Sequence, residues 1–286
     1  MQIIDLGNRK YWVDTNQPLQ SSGQFSTVYK AYDFSKRPLI IKKLNSRFSQ
    51  NKKMVEQFLK EGVVNFEHPN IAHVVDAFKY QGQYYLIRSF VEGTSLNKIK
   101  LKNVNLVVSC FCQILDALKL LHSKGILHRD IKPANIIYNK EQNRCVLIDF
   151  GRIKLKQDAD KERVFSLIYS PPEMVLNIPH LLNESGDLYS LALTLYETLT
   201  QKKAFNHSNP EILMNIQLVQ KLKVRNLDNR LFEIIEKATY RYAFPKPPHF
   251  YNKNDLFKIL QESQQKRYFS AEKLKQDLQD YLQSIS

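Results

Sequence analysis

The sequence predicts an α+β chain of two lobes, a small antiparallel-sheet N-lobe followed by a larger α-helical C-lobe. Three observations carry this expectation. Short apolar runs bounded by turn residues dominate as far as Phe90. Beyond Gly93 the apolar residues recur at every third or fourth position instead. The 286 residues, 43% of them hydrophobic and 24% charged, suffice to bury a sizeable core in one large domain or two coupled lobes.

Between residues 12 and 44, Thr27-Val28-Tyr29 and Leu39-Ile40-Ile41 are separated by Ser/Gly or Lys-Arg-Pro, as strands are by turns. Residues 74–78 and 84–90 flank Gln81-Gly82 and predict a strand pair with a tight turn. Leu106, Cys110, Phe111, Ile114, Leu118 and Leu121 then predict an amphipathic helix ending near Gly125. Leu188, Leu191, Ala192, Leu195 and Leu199 predict a second, and Leu274, Leu278 and Leu282 a last one behind a Ser270 cap. The organisation expected is one domain over 1–286: an N-lobe at about 11–90, a hinge at 91–94 and a C-lobe at 95–286. An aromatic- and proline-rich insertion at 241–263 reads as a strap packed on the C-lobe or as a docking site for a partner.

Asp5 and Arg9 fall where a signal peptide would need its apolar stretch, and no run approaches the roughly 18 apolar residues of a membrane span. Three cysteines cannot all pair, and Cys110 and Cys112 point to different helix faces. A soluble, cytoplasmic protein without a membrane span is expected. The net charge of +14 raises nucleic acid as a partner, but residues 1–90 carry 13 Lys/Arg against 7 Asp/Glu, so the excess is spread through the chain. It reads as a solvated basic surface, with no specific nucleic-acid site. His68 and His122 read as structural, and no metal-ligand spacing such as CxxC appears.

Chemistry concentrates in His128-Arg129-Asp130-Ile131-Lys132-Pro133-Ala134-Asn135 and, fourteen residues later, Asp149-Phe150-Gly151. Residues 136–138 and 145–148 read as strands of a hairpin joined by the turn-rich 139–143. Asn135 and Asp149 then lie at its open end, about 5 Å apart. Two hard oxygen ligands at that separation suit Mg²⁺, which takes one or two protein oxygens plus substrate phosphates. Asp130, just before them, is a carboxylate able to accept a proton from an incoming hydroxyl.

These segments resemble the eukaryotic-type protein kinase family, Ser/Thr class, and the likeness extends from about residue 12 to 282. It implies a bilobal protein-kinase-like fold and an ATP- and Mg²⁺-dependent serine/threonine protein kinase. HRDIKPAN is similar to the catalytic loop: Asp130 becomes the base, Lys132 the residue on the transferred phosphate, and Asn135 and Asp149 the metal ligands. Leu39-Ile40-Ile41-Lys42 resembles the strand whose lysine clamps nucleotide phosphates. Strand alternation admits only one of Lys42 and Lys43, and the family's spacing selects Lys42. Residues 21–28 resemble the glycine-rich loop, with Gly23 at its middle glycine. The resemblance thus implies cofactor binding by Ser21, Gly23, Ser26, Val28, Ile40, Lys42, Glu61, Arg88, Ser89, Val91 and Ile137. Ser166-Leu167-Ile168-Tyr169-Ser170-Pro171-Pro172-Glu173 is similar to the substrate-binding segment, which favours protein substrates. Arg267 stands where the family's buried partner of Glu173 is expected, and Asp187 where an aspartate anchors the catalytic loop.

The pattern departs from the family at four places: two nucleotide-loop glycines are absent, Ile40 replaces alanine, Arg88 holds the gatekeeper position, and Glu61 lies two residues closer than usual to His68-Pro69-Asn70. A buried Arg88 calls for an anion, Glu61 or Asp149. A pseudokinase acting as a nucleotide-binding or scaffolding module, and a kinase of a small-molecule substrate, are the alternatives. Arg152, Lys154, Lys156, Lys161 and Arg163 favour acidic substrates. Residues 152–165 contain no Ser, Thr or Tyr, so activity without activation-loop phosphorylation is expected, with Asp158, Asp160 or Glu162 facing Arg129 in place of a phosphate.

Overall fold

The computed structural model describes residues 2–5, 9–15, 18–19, 25–155, 166–242, 244–246 and 248–285. The chain forms two compact units, residues 1–92 with 148–151, and residues 93–147 with 152–286.

The first unit contains β1 (Gln2–Asp5), β2 (Lys10–Val13), β3 (Ser26–Tyr32), β4 (Pro38–Leu44), α1 (Lys52–Lys60), β5 (Val74–Tyr80) and β6 (Gln83–Ser89). The strands form one antiparallel sheet in the order β1-β2-β3-β4-β6-β5. Period-two alternation divides β4 between two environments. Leu39 and Ile41 join Ile4, Tyr11, Val13, Ala31, Tyr85 and Ile87 in a core on one face. The opposite face carries Ile40 and Lys42 with their cross-strand partners, Arg88 opposite Ile40 and both Val28 and Leu86 opposite Lys42. The sheet curls until Tyr11 of β2 stacks on Phe78 of β5, ring centroids 6.0 Å apart, and donates its hydroxyl to Asp76. The turn Gln81-Gly82 has φ of 47° and 77°, the left-handed pair that matches the twist of a two-residue hairpin. Phe58, Val55 and Leu59 of α1 pack with Leu44, Val74 and Leu86, which fixes the end of α1 over the Lys42 face.

The second unit contains β7 (Thr94–Ser95), α2 (Val104–Ser123), β8 (Ile126–Leu127), β9 (Ile136–Asn139), β10 (Arg144–Leu147), β11 (Lys154–Leu155), α3 (Pro172–Val175), α4 (Glu184–Thr200), α5 (Pro210–Val219), α6 (Asn229–Ala238), α7 (Lys253–Gln265) and α8 (Ala271–Ile285). β9 and β10 form the expected hairpin in register Ile136↔Leu147, ending one residue short of Ile148, and β7 pairs with β9. Gly93 enters this sheet at φ 129°, where a Cβ would collide with the Tyr138 carbonyl oxygen. α2 packs against α4, α8 and β10. It is the one helix among the described residues long and apolar enough to cross a membrane by length and mean hydropathy, yet Val107, Val108, Phe111, Ile114, Leu118 and Leu121 are buried in the helical core.

Asparagine sets most helix starts. Asn51, Asn103, Asn183, Asn209 and Asn252 each accept a first-turn amide, and Ser270 accepts from Lys273 at the start of α8. β1, α5, α6 and α7 fall outside the periodic segments named above. The 241–263 segment packs as a strap: Phe244, Tyr251, Leu256, Phe257 and Leu260 share a core with Val175, Leu181 and Leu218.

Glu173 and Arg267 form a fully buried ion pair in this unit. Nη1 donates to Oε1 at 2.8 Å and Nη2 to Oε2 at 3.2 Å, Gln264 adds a bond to Oε1, and Arg267 Nε donates to the Tyr240 carbonyl. Removing one partner strands the other charge without water, at a cost of about 3–5 kcal/mol. Arg267→Ala is therefore expected to lose most of the chain's stability in urea unfolding; a loss below about 1 kcal/mol would show that the pair is dispensable.

Candidate functional site

Two carboxylates of the first unit converge on one ammonium group. Lys42 Nζ donates to Glu61 Oε1 at 2.8 Å, to Glu61 Oε2 at 3.0 Å and to Asp149 Oδ1 at 2.8 Å. Glu61 reaches it from a short 3₁₀ turn, Glu61–Val63, directly after α1. Burial works against the charged lysine, but the Asp149 and Glu61 carboxylates outweigh it and hold its pKa above the ordinary value. Lys43 faces the other way, over the Tyr85 ring.

The 149–151 segment is held to α1 by Gln57, which donates to the Gly151 carbonyl at 2.9 Å. Asp149 adopts φ 65°, a left-handed conformation that costs energy in any residue but glycine and places the carboxylate over Lys42. A Cβ at position 151 would press on Glu61 Oε1 at 3.2 Å.

Arg88 corrects an expectation. It is buried on the Lys42 face, but neither Glu61 nor Asp149 pairs with it, and its Nη1 has no hydrogen-bond partner among the described residues. The reason is competition: Lys42 engages both carboxylates, leaving Arg88 only longer-range interaction with Glu61. Among the other expected nucleotide contacts, Ser26 and Val28 lie on β3, Ile40 on β4 and Ser89 at the end of β6, where its amide donates to the His73 carbonyl. Val91 follows β6 within the same unit, and Ile137 lies on β9 of the second unit. Ser21 and Gly23 lie outside the described residues, as do Lys156, Asp158, Asp160, Lys161, Glu162 and Arg163.

The second unit gathers a separate cluster around Asp130. Its Oδ2 accepts from Lys132 Nζ at 2.7 Å and from Asn135 Nδ2 at 3.0 Å, and its Oδ1 from Ser166 Oγ at 2.6 Å. Lys132 also donates to Ser166 Oγ at 3.0 Å, closing a triangle of base, cation and hydroxyl. Arg152 Nε lies 3.8 Å from the same carboxylate, a contact that nothing in the local sequence announced. Lys154 is buried and so does not belong to the open basic neighbourhood expected at residues 152–163.

The loop carrying Asp130 hangs from Asp187, in the first turn of α4. Asp187 accepts the backbone amides of His128 at 2.9 Å and Arg129 at 2.8 Å, while His122 Nε2 contacts it at 2.9 Å. These bonds hold Arg129 at φ 64°. Burial alone would raise the Asp187 pKa, but His122, the His128 ring and the Arg129 amide together hold it below the ordinary aspartate value.

Among the described residues no group of three or more His, Cys, Asp or Glu is placed to hold a metal ion. Each unit by itself still offers an oxygen donor of the kind Mg²⁺ takes, since that ion needs only one or two protein oxygens beside phosphate. Asn135 uses its Nδ2 on Asp130, and its amide oxygen accepts no hydrogen bond among the described residues. The Asp149 side chain is 40% exposed.

Residues 21–280 match the model of the protein kinase domain family. The chain is 30% identical over 237 residues to serine/threonine-protein kinase D of Synechocystis, covering 76% of this chain and 46% of that protein. A probable serine/threonine-protein kinase of Clostridium perfringens is 30% identical over 233 residues, 76% of this chain and 33% of its own length. Serine/threonine-protein kinase nekl-2 of Caenorhabditis elegans is 32% identical over 206 residues, 64% of this chain and 56% of that protein. The chain thus spans less than half the length of the first two.

The Asp187 anchor makes stability depend on pH in a defined direction. Because its pKa is lowered in the folded chain, its contribution is full above the unfolded value of about 3.9 and fades as pH falls through the folded one. The stability difference between wild type and Asp187→Asn is therefore expected to be largest near neutrality and to shrink below about pH 4 in denaturant titrations. A difference independent of pH would show that the carboxylate charge plays no part in the anchor.

Proposed function

Because the chain belongs to the protein kinase domain family, we propose that it transfers the terminal phosphoryl group of a purine nucleoside triphosphate, ATP being the family's usual donor, to serine and threonine hydroxyls of proteins. The observation that carries this reading is the Lys42 ammonium held in place by Glu61 and Asp149. A lysine so oriented is a cation for phosphate oxygens, which would take over the donor now spent on Asp149 while Glu61 keeps the ammonium in place.

Each unit brings one oxygen donor of the kind Mg²⁺ takes beside phosphate, Asp149 in the first and Asn135 in the second, and the ion when bound would neutralise phosphate charge. Asp130 accepts the proton of the attacking hydroxyl. Lys132, 2.7 Å from that carboxylate, places a positive charge beside the group in transfer. Ser166 keeps Asp130 and Lys132 in register through its hydroxyl. We further propose that activity needs no activation-loop phosphorylation, since residues 152–165 offer no hydroxyl to modify.

The test is transfer of labelled phosphate from ATP to a mixed protein substrate, by wild type before and after phosphatase treatment and by Lys42→Ala and Asp149→Ala. Each variant is expected to lose transfer by about a thousandfold or more because both residues act on phosphate charge, with circular dichroism of each variant used to separate this from loss of the fold. Phosphatase treatment is expected to change nothing. Full activity in folded Asp149→Ala would refute the mechanism, and nucleotide binding by wild type without transfer would make the chain a pseudokinase.

A further inference from the structure

We propose that Arg88 makes the nucleotide site select a 6-oxo purine, so that this chain uses GTP in preference to ATP; this rests on the reading above that Lys42 holds nucleotide phosphates. The starting observation is an arginine with nothing to do. Arg88 is 9% exposed, makes no hydrogen bond or ion pair among the described residues, and keeps Nη1 wholly buried without a partner. A guanidinium has five donors, accepts nothing and does not lose its charge in proteins. Leaving it unsatisfied away from water is costly, and an acceptor that arrives with a ligand would relieve that cost.

The register says which part of a ligand that is. Lys42, the cation for phosphates, lies opposite Val28 on one side and Leu86 on the other. Two residues along the same face stands Ile40, and Arg88 is its direct cross-strand neighbour, at the spacing of about 5 Å that such pairs share. A nucleotide whose phosphates meet Lys42 lays its flat base over the apolar Val28 and Ile40 side chains, and the edge of that base meets Arg88.

Purine edges differ in what they offer there. Guanine presents two acceptors, O6 and N7, which an arginine fork takes in bidentate fashion; adenine presents N7 as an acceptor but a 6-amino group that is itself a donor. Against adenine, Arg88 would set donor against donor. The nearby charge sharpens the choice: Arg88 already works against the Lys42 ammonium, and both carboxylates that could compensate are engaged by Lys42. An edge of two acceptors relieves that surplus of positive charge, and an amino edge does not.

The experiment is calorimetric binding of GTP, ATP and ITP, each with Mg²⁺, to the full chain and to Arg88→Gln and Arg88→Met, with steady-state phosphoryl transfer alongside. Wild type is expected to favour GTP over ATP by about tenfold or more, with ITP grouping with GTP because it shares the 6-oxo group. Arg88→Gln should reverse the order, since a glutamine amide offers adenine both an acceptor and a donor. Arg88→Met should bring the two nucleotides close to parity, and it keeps the test valid should the glutamine variant fold poorly. Wild type favouring ATP, ITP grouping with ATP, or an unchanged ratio in a folded variant would each overturn the assignment of Arg88. Failure of every nucleotide to bind would instead overturn the nucleotide reading, and this inference with it.

Discussion

Asp187 is a buried carboxylate on which three separate parts of the helical unit depend. It sits in the first turn of α4, takes two consecutive amides from the loop that carries Asp130, and meets His122 from the end of α2. Without it the left-handed Arg129 would relax towards ordinary backbone angles, because nothing favours φ 64° in an arginine except bonds that outweigh its cost. The position of Asp130 is therefore bought by interactions at the two residues before it in sequence. A buried carboxylate is tolerable there because it is fully hydrogen-bonded.

The sheet unit follows a related logic in which one cation organises two anions. Lys42 could not remain charged at its depth without Glu61 and Asp149, and the two carboxylates could not lie so close without Lys42 between them. Gln57 and Gly151 complete the arrangement, the first by tying the 149–151 segment to α1 and the second by leaving room for Glu61. Because this local charge balance is satisfied internally, Arg88 is left over. Its lack of a partner among the described residues is a consequence of how well Lys42 is served.

What could be read from the sequence follows from how local each feature is. The segments His128–Asn135 and Asp149–Gly151 carry their chemistry in contiguous residues, and the β9–β10 hairpin and the helices α2, α4 and α8 announce themselves through alternation, turn residues and helical spacing. The contact of Asp187 with His128 spans 59 residues and was legible only through the family resemblance, and that of Gln264 with Glu173 spans 91 and leaves no local trace. β1 is too short for periodicity to show, with only Ile4 buried in the core. The asparagine caps were legible in principle, since each precedes a helix, but α5 and α7 have shorter apolar patterns behind them than α2 and α4, and α6 is short and starts from Asp228 instead. The partner of Arg88 was misjudged because sequence shows which anions are near, not which cation reaches them first.

The account stands or falls on whether this chain forms a phosphate ester on protein hydroxyls. The direct measurement is mass-spectrometric phosphosite mapping of a protein mixture incubated with the purified chain, Mg²⁺ and a purine nucleoside triphosphate, compared with the same mixture incubated with Asp130→Asn. The account predicts new phosphoserine and phosphothreonine that appear only with the wild-type chain. Identical site maps for the two proteins, or phosphate transferred only to a small molecule in the mixture, would contradict it.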